Sequence, residues 1–452
     1  MFKKSLLASA IAVAVTASGA AVADHKGGFV FKPIDESANA ADWDPSAPWK
    51  LPRGYTQRVV SDETDLNIYD GGRDDWHDMN TVNETGPMAG RYMYRTHELR
   101  YPDNQPEGGT VSVVDLETGD TTILAQDPTY DALDGIRWSP WGTVVFAEEV
   151  AGGRFFEIEL NPELVSGMVI DRPAVGRLAH EGIDFDTDGN VYIVDEHRGR
   201  TDGCNGVVPC GGGVYKFVPA SYGDLSAGDL YVLKVTGADG IGQGEWAGPI
   251  NPETARESGT EAGGQSYQRP EDVEIIGDML YVAITEGPRD AKTNPVTDEL
   301  SFKDENGDRY KEMYEGRVIA VNLVTMEVTN FVKPGVNVPV EIGKPGDEGH
   351  QTGFDSVDNL AEAPNGDLIM IEDNKPSDIW FATTRTNEFG ASVDVDLFAS
   401  LTDPAAEGTG IYFSPLDPKT LYVNVQHSAA EDGDATWAIS RKGRGHWKKF
   451  DD

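Results

Sequence analysis

The chain has 452 residues, 77 of them acidic against 37 basic, and a formal net charge of −40. A surface this acidic repels phosphate backbones and excludes nucleic acid as a partner. With 39% hydrophobic residues, 51 glycines and 26 prolines, the composition favours a turn-rich globular fold over long helices.

Lys3 and Lys4 precede an apolar run to about Val15 and a small-x-small site, Ala21-Val22-Ala23. This predicts a secretory signal peptide over 1–23, and so a periplasmic or extracellular protein. No later stretch is apolar enough for a membrane span. Residues 24–84 read as an N-terminal extension that packs on or closes the main domain, 85–452.

One phrase then recurs. It reads "DGIRWSPWGTVVFAEE" at 134–149, "EGIDFDTDGNVYIVDE" at 181–196, "EDVEIIGDMLYVAITE" at 271–286 and "DNLAEAPNGDLIMIED" at 358–373. A looser copy, "EGTGIYFSPLDPKTLYVNVQ", spans 407–426, and a weak one, "GRYMYRTHELR", spans 90–100. Each is apolar alternation, a Gly- or Pro-bearing turn and a second β-rich run, the local chemistry of a hairpin. Starts 47, 90, 87 and 49 residues apart suit a repeating four-stranded unit of about 40–50 residues. The expected fold is all-β, a six-bladed β-propeller. Its long inter-strand loops are the Gly-, Glu- and Pro-rich segments 225–265, 287–315 and 333–352.

In a propeller the first strand of each hairpin lines the central channel. The leading acids Asp134, Glu181, Glu271, Asp358 and Glu407 are then expected at one channel mouth. The trailing acids Glu148, Glu149, Asp195, Glu196, Glu286, Glu372 and Asp373 should return to the same end. Carboxylates so crowded raise one another's pKa unless cations relieve them. Oxygen-only ligands favour Ca²⁺, and carboxylate clusters also hold iron or manganese.

Arg269 stands two residues before Glu271, on the same side of an extended strand, and suits an anionic substrate such as a phosphate ester. A surface salt bridge is its plainer reading. His97, placed before Glu98 as His180 is before Glu181, reads as a substrate contact, a further ligand, a base or a structural histidine. Cys204 and Cys210 form a disulfide by default in an exported protein. "DENGD" at 304–308 reads as a polar turn. No P-loop, nucleophile elbow or HExxH motif is present.

"GGTVSVVDLETGD" (108–120), "SPWGTVVFAEE" (139–149), "HEGIDFD" (180–186), "RPEDVE" (269–274), "DNLAEAPNGDLIMIED" (358–373) and "FSPLDPKTLYVNVQH" (413–427) stand in an order that resembles the PhoX-type secreted alkaline phosphatases. The resemblance covers residues 85 to 430. It implies a six-bladed propeller with a mixed iron–calcium cluster that hydrolyses small phosphomonoesters; a monomer is expected independently of it. Glu181 and Glu271 match family iron ligands, Glu149, Glu196, Asp358 and Glu372 match calcium-binding acids, and Arg269 matches a phosphate contact. Asp134 replaces the family's iron-bound cysteine, which moves the expected metals from Fe³⁺ toward Ca²⁺ or Mn²⁺, with Glu148 as a further ligand. Thr96 replaces an asparagine. The rival readings are a non-catalytic calcium-binding propeller and a calcium-dependent lactonase or esterase.

Overall fold

The computed structural model describes residues 29–442 apart from 67, 69–74, 103, 200–203, 205, 206, 208, 286–300, 304–308, 314, 315 and 344–351. Its strands form six antiparallel blades whose innermost strands are, in chain order, His77–Val82, Leu133–Trp138, Ile183–Phe185, Pro270–Ile276, Val357–Glu362 and Glu407–Phe413. Each neighbours the next and the sixth returns to the first, so the ring is closed. Blades 3 and 4 also join at their outer edges, where Gly242–Gln243 pairs with Glu327–Val328.

The five full phrases are the inner hairpins of blades 2 to 6, as their alternation predicts. The weak phrase at 90–100 is only half of one. Tyr92–His97 is the second strand of blade 1, and its inner partner is His77–Val82. The extension supplies structure as well. Trp49–Lys50 adds an outer strand to blade 5, and Tyr55–Asp62 closes blade 6 against Ala435–Arg441. Phe29 and Phe31 pack with Tyr55, Phe398 and Phe413 over these two blades. The propeller therefore begins before residue 85.

Segment 225–265 is not a loop. It holds the strands Gly228–Val235 and Gly242–Ile250 and a two-turn helix, Ala255–Glu261. Within 287–315 and 333–352, Ser301–Lys303, Arg309–Met313 and Glu341–Gly343 make a small sheet; residues 304–308 and Glu286 lie outside the described residues. The signal-peptide residues lie outside them too. Cys204 and Cys210 are disulfide-bonded.

Blade faces show why the second strands read as continuous apolar runs. In Val144–Glu148, Val144 and Phe146 pack toward blade 1, with Tyr94, Val111 and Val113. Val145 and Ala147 pack toward blade 3, with Ile193, Tyr215 and Phe217. A strand covered on both faces needs apolar residues at both phases of its period of two.

Candidate metal centre at the channel mouth

The acids reach the channel through an irregularity repeated from blade to blade. In blades 1, 2, 4 and 5 the pairing of the inner with the second strand slips at the leading acid, and in blade 6 it slips just beyond Thr409, two residues after Glu407. Such bulges turn a side chain out of the regular alternation. Two residues upstream, Trp76, Ala132, Arg269 and Ser356 share a left-handed backbone, with φ of 42°, 43°, 51° and 48°. Each costs a non-glycine residue about 1–3 kcal/mol, which the surrounding blades must hold in place. The carbonyls of Trp76, Ala132, Ala179 and Ser356 then accept from the backbone N–H of Glu98, Glu149, Glu196 and Asp373, at 2.8–3.1 Å. In blades 1, 2, 3 and 5 one hydrogen bond thus ties the entry to the inner strand, two residues before the leading acid, to the trailing acid. In blade 4 the corresponding donor is Thr285 N–H, to the Arg269 carbonyl at 3.0 Å.

Glycine follows the acid where neighbouring inner strands touch. A Cβ at Gly135 would lie 1.8 Å from the Glu181 carbonyl oxygen, and one at Gly182 would lie 1.9 Å from Asp272 Oδ1. Those contacts require the "DG" and "EG" of the repeated phrase.

The result is a cavity of about 240 Å³ lined by Asp78, Glu98, Asp134, Glu149, Glu181, Glu271, Asp358, Asp373 and Glu407, with Arg100, Arg269 and His427. Nine carboxylates face two guanidinium groups. Ligand oxygens of Asp134, Glu149 and Glu181 lie within 4.8 Å of one another, and so do those of Glu181, Glu271 and Asp358. Two oxygens each about 2.4 Å from one ion are at most ~4.8 Å apart, so each triad spans a Ca²⁺-sized shell. Glu181 belongs to both.

Burial, then the neighbouring carboxylates, pushes Asp78, Glu181 and Asp358 well above the usual carboxylate range. Burial lifts Asp134 to about 7. It also raises Glu149 and Glu407, each of which shares a hydrogen bond with another acid, Glu196 and Asp373 respectively. Glu271 is raised by burial despite Arg269, whose Nε lies 3.0 Å from Glu271 Oε1. Burial would raise Glu196 as well, but its hydrogen bond to Glu149 and its pairing with Arg269 hold it low. Asp134 Oδ1 is buried with no hydrogen-bond donor among the described residues. Oxygens this crowded and this poor in donors are a donor set for hard cations.

The structure does not bring every expected residue here. Asp134, Glu149, Glu181, Glu271, Asp358 and Arg269 line the mouth, and Glu196 stands one layer out, bonded to Arg269. Glu148 points the other way, where the Arg154 side chain grips its carboxylate and the Arg154 N–H donates at 2.9 Å. Glu372 likewise faces into blade 5, its Oε1 accepting from Asp355 N–H at 2.9 Å and Trp380 Nε1 at 2.8 Å. Asp195 is paired with Arg256. Adjacent strand residues face opposite sides, so only the second acid of each pair, Glu149, Glu196 or Asp373, turns to the channel. His97 is fully buried behind the mouth and out of a substrate's reach, with Nδ1 on the Asp75 carbonyl oxygen and Nε2 on Ser112 Oγ, both at 2.8 Å. Arg269 reaches Glu271 through its left-handed turn, not along an extended strand.

Asp78 and Arg100 were not foreseen. Asp78 is the sixth leading acid, and Arg100 binds Glu98 and Glu149. Thr96, where the family has asparagine, hydrogen-bonds the Asp134 carbonyl oxygen and so ties blade 1 to blade 2. The position of Glu148 carries a prediction. Arg154→Met strands a buried carboxylate and should cost about 3 kcal/mol in urea unfolding, leaving metal content unchanged. Loss of metal in that variant would place Glu148 back among the ligands.

The family model described as "Alkaline phosphatase PhoX" matches residues 152–429. The chain belongs to the PhoX family. Across 93% of the chain and 99% of the other, its fold is similar to that of Pseudomonas fluorescens PhoX in complex with vanadate, a transition state analogue, at TM-score 0.61 and 17% identity. A weaker likeness, TM-score 0.42 and 12% identity over 85% of this chain and 99% of the other, is to virginiamycin B lyase from Staphylococcus aureus with quinupristin. No curated protein matches the sequence. Membership sets this chain among alkaline phosphatases of the PhoX type, and its oxygen-rich mouth suits metal-dependent chemistry.

A second cavity, about 500 Å³, opens at the other end of the inner strands. Although larger, it holds one arginine, Arg137, already paired with Asp184 at 3.0 Å and Glu274 at 3.1 Å. Neither carboxylate triad lies there. The smaller cavity is therefore the candidate centre. Among the described residues no helix is long and apolar enough to cross a membrane.

Proposed function

We propose that the chain is an exported, monomeric phosphomonoesterase acting on small phosphate esters at the channel-mouth cluster. The observation that carries this reading is the pair of carboxylate triads sharing Glu181, with Arg269 beside Glu271. Asp134, Glu149 and Glu181 would hold one ion, and Glu181, Glu271 and Asp358 a second, with Glu196 and Asp373 adding negative charge. Calcium fits this oxygen-only set, with manganese or iron as a partner ion. Bound, such ions polarise phosphoryl oxygens and supply a water of lowered pKa.

The chain's own part is to bind and orient. Arg269 stays protonated because, against the cost of burial, Glu271 and Glu196 favour its charge. Those contacts fall on Nε, while Nη1 lies 3.8 Å from Asp373, beyond hydrogen-bond reach. The Nη groups thus retain donors for two oxygens of a phosphate. Arg100, across the mouth at Glu149, supplies a second positive charge at the rim. The vanadate held by the Pseudomonas fluorescens relative supports phosphoryl transfer as the shared chemistry.

The test is p-nitrophenyl phosphate hydrolysis beside metal analysis, in protein purified without chelators. Turnover that EDTA abolishes, and that calcium with manganese or iron restores, is the expected result. Bound calcium without turnover under every metal addition would leave a propeller that binds ions but has no phosphatase chemistry.

A further inference from the structure

Behind the channel acids of blade 1 lies a second group of potential ligands with a different chemistry. Asp75, His77 and His97 each offer a ligand atom, and these lie within 4.8 Å of one another. All three are buried, the two histidines at 0% exposure and Asp75 at 3%. His77 Nε2 lies 3.6 Å from Asp75 Oδ2. Two ligands each ~2.0–2.1 Å from a tetrahedral ion are separated by about that distance.

The hydrogen bonding is incomplete in a telling way. Neither ring nitrogen of His77, nor Asp75 Oδ2, has a hydrogen-bond partner among the described residues. A neutral imidazole has one donor and one acceptor, and leaving both unmet in the interior costs about 1–3 kcal/mol each. His97 is set up differently. Its Nδ1 meets the Asp75 carbonyl oxygen, which only accepts, so Nδ1 carries the proton and Nε2 keeps the lone pair. A ring N–H held by a backbone carbonyl is the usual outer support of a metal-bound histidine. Ser112 Oγ, 2.8 Å from Nε2, stands on the lone-pair side, so the hydroxyl must swing aside by χ1 rotation for an ion to take its place.

We infer that Asp75, His77 and His97 form a buried site for one zinc-class divalent ion, separate from the channel cluster. Its donors select against calcium. One carboxylate and two neutral imidazoles make a nitrogen-rich set, while calcium takes six to eight oxygens. Arg95, whose guanidinium bonds only hydroxyls of Ser61, Ser112 and Thr436 among its described hydrogen bonds, adds positive charge nearby. An ion held by charge alone would be opposed there, whereas zinc gains from the nitrogen donors themselves. Because His77 and His97 directly precede Asp78 and Glu98, the ion would brace the base of two mouth carboxylates without touching substrate.

This site does not depend on the phosphatase reading, and its test uses metal content in place of activity. The unaltered chain, from zinc-supplemented culture, is dialysed and analysed beside His77→Gln, His97→Gln and Glu181→Gln. Zinc near one ion per chain is expected in the unaltered protein and in Glu181→Gln, which disturbs only the channel cluster. Either histidine change should lower zinc affinity roughly tenfold or more. Should those variants fail to fold, Co²⁺ added to the unaltered chain should give the visible absorption of a low-coordinate nitrogen–oxygen site, bleached by zinc and not by calcium. An unaltered chain that takes up no zinc, zinc retained in both histidine variants, or cobalt with no such band overturns the proposal.

Discussion

Glu181→Gln is expected to lower kcat/KM for p-nitrophenyl phosphate by at least about 10²–10³-fold, the scale of losing one preorganised charge-stabilising group. The change keeps the size of the side chain and the Gly182 contact with blade 4. It removes one anionic ligand that both carboxylate triads share, so metal content should fall along with activity. Stability supplies an independent check with a sign of its own. In the chelated protein Glu181 is a buried acid among acids, its charge opposed by burial and by Asp134, Glu271 and Asp358. Neutralising it should raise the Tm of the metal-free protein, while the metal-loaded variant should melt below the metal-loaded parent. Full metal content with full turnover in Glu181→Gln would remove the triads from the reaction.

Arg269→Ala should cost a comparable factor in kcat/KM and relieve inhibition by inorganic phosphate. The backbone is left-handed at this position, so any β-carbon carries the same strain and the comparison isolates the guanidinium. Arg269→Lys keeps a charge but loses the planar pair of donors, and should recover only part of the activity. Because Glu196 and Glu271 lose their counter-charge in the alanine variant, metal content has to be measured alongside. Unchanged phosphate inhibition with metals intact would reduce Arg269 to a structural partner of those acids.

The hairpins of blades 2 to 6 were legible because their signal is local: alternation, a turn of two to six residues, and in blades 2, 3 and 6 a glycine after the acid. Blade 1 was half hidden. A longer turn, "NETGPMAGR" at 83–91, separates its strands, so the phrase at 90–100 exposed Glu98 but not Asp78. The paired acids failed for a geometric reason. "EE" at 148–149, "DE" at 195–196 and "ED" at 372–373 all look alike as text. The last residue of the second strand turns into the blade, and the next residue, released from pairing, turns to the channel. Glu148 and Glu372 were therefore expected among ligands where the structure supplies Arg154 and Trp380 as their partners.

What the sequence determined alone was the repeating unit, the all-β class and the excess of acid at the ends of the repeats. All of these follow from side-chain period and turn chemistry within about 20 residues. Which acids meet was decided by the closed ring of inner strands, which sets residues as far apart as Asp78 and Glu407 around one cavity. So was the split of blade 1's paired residues, with Asp78 and Glu98 toward the channel and His77 and His97 behind it. A bulge or a left-handed residue re-aims a side chain, and both are held in place by contacts between blades that no single stretch of the chain contains.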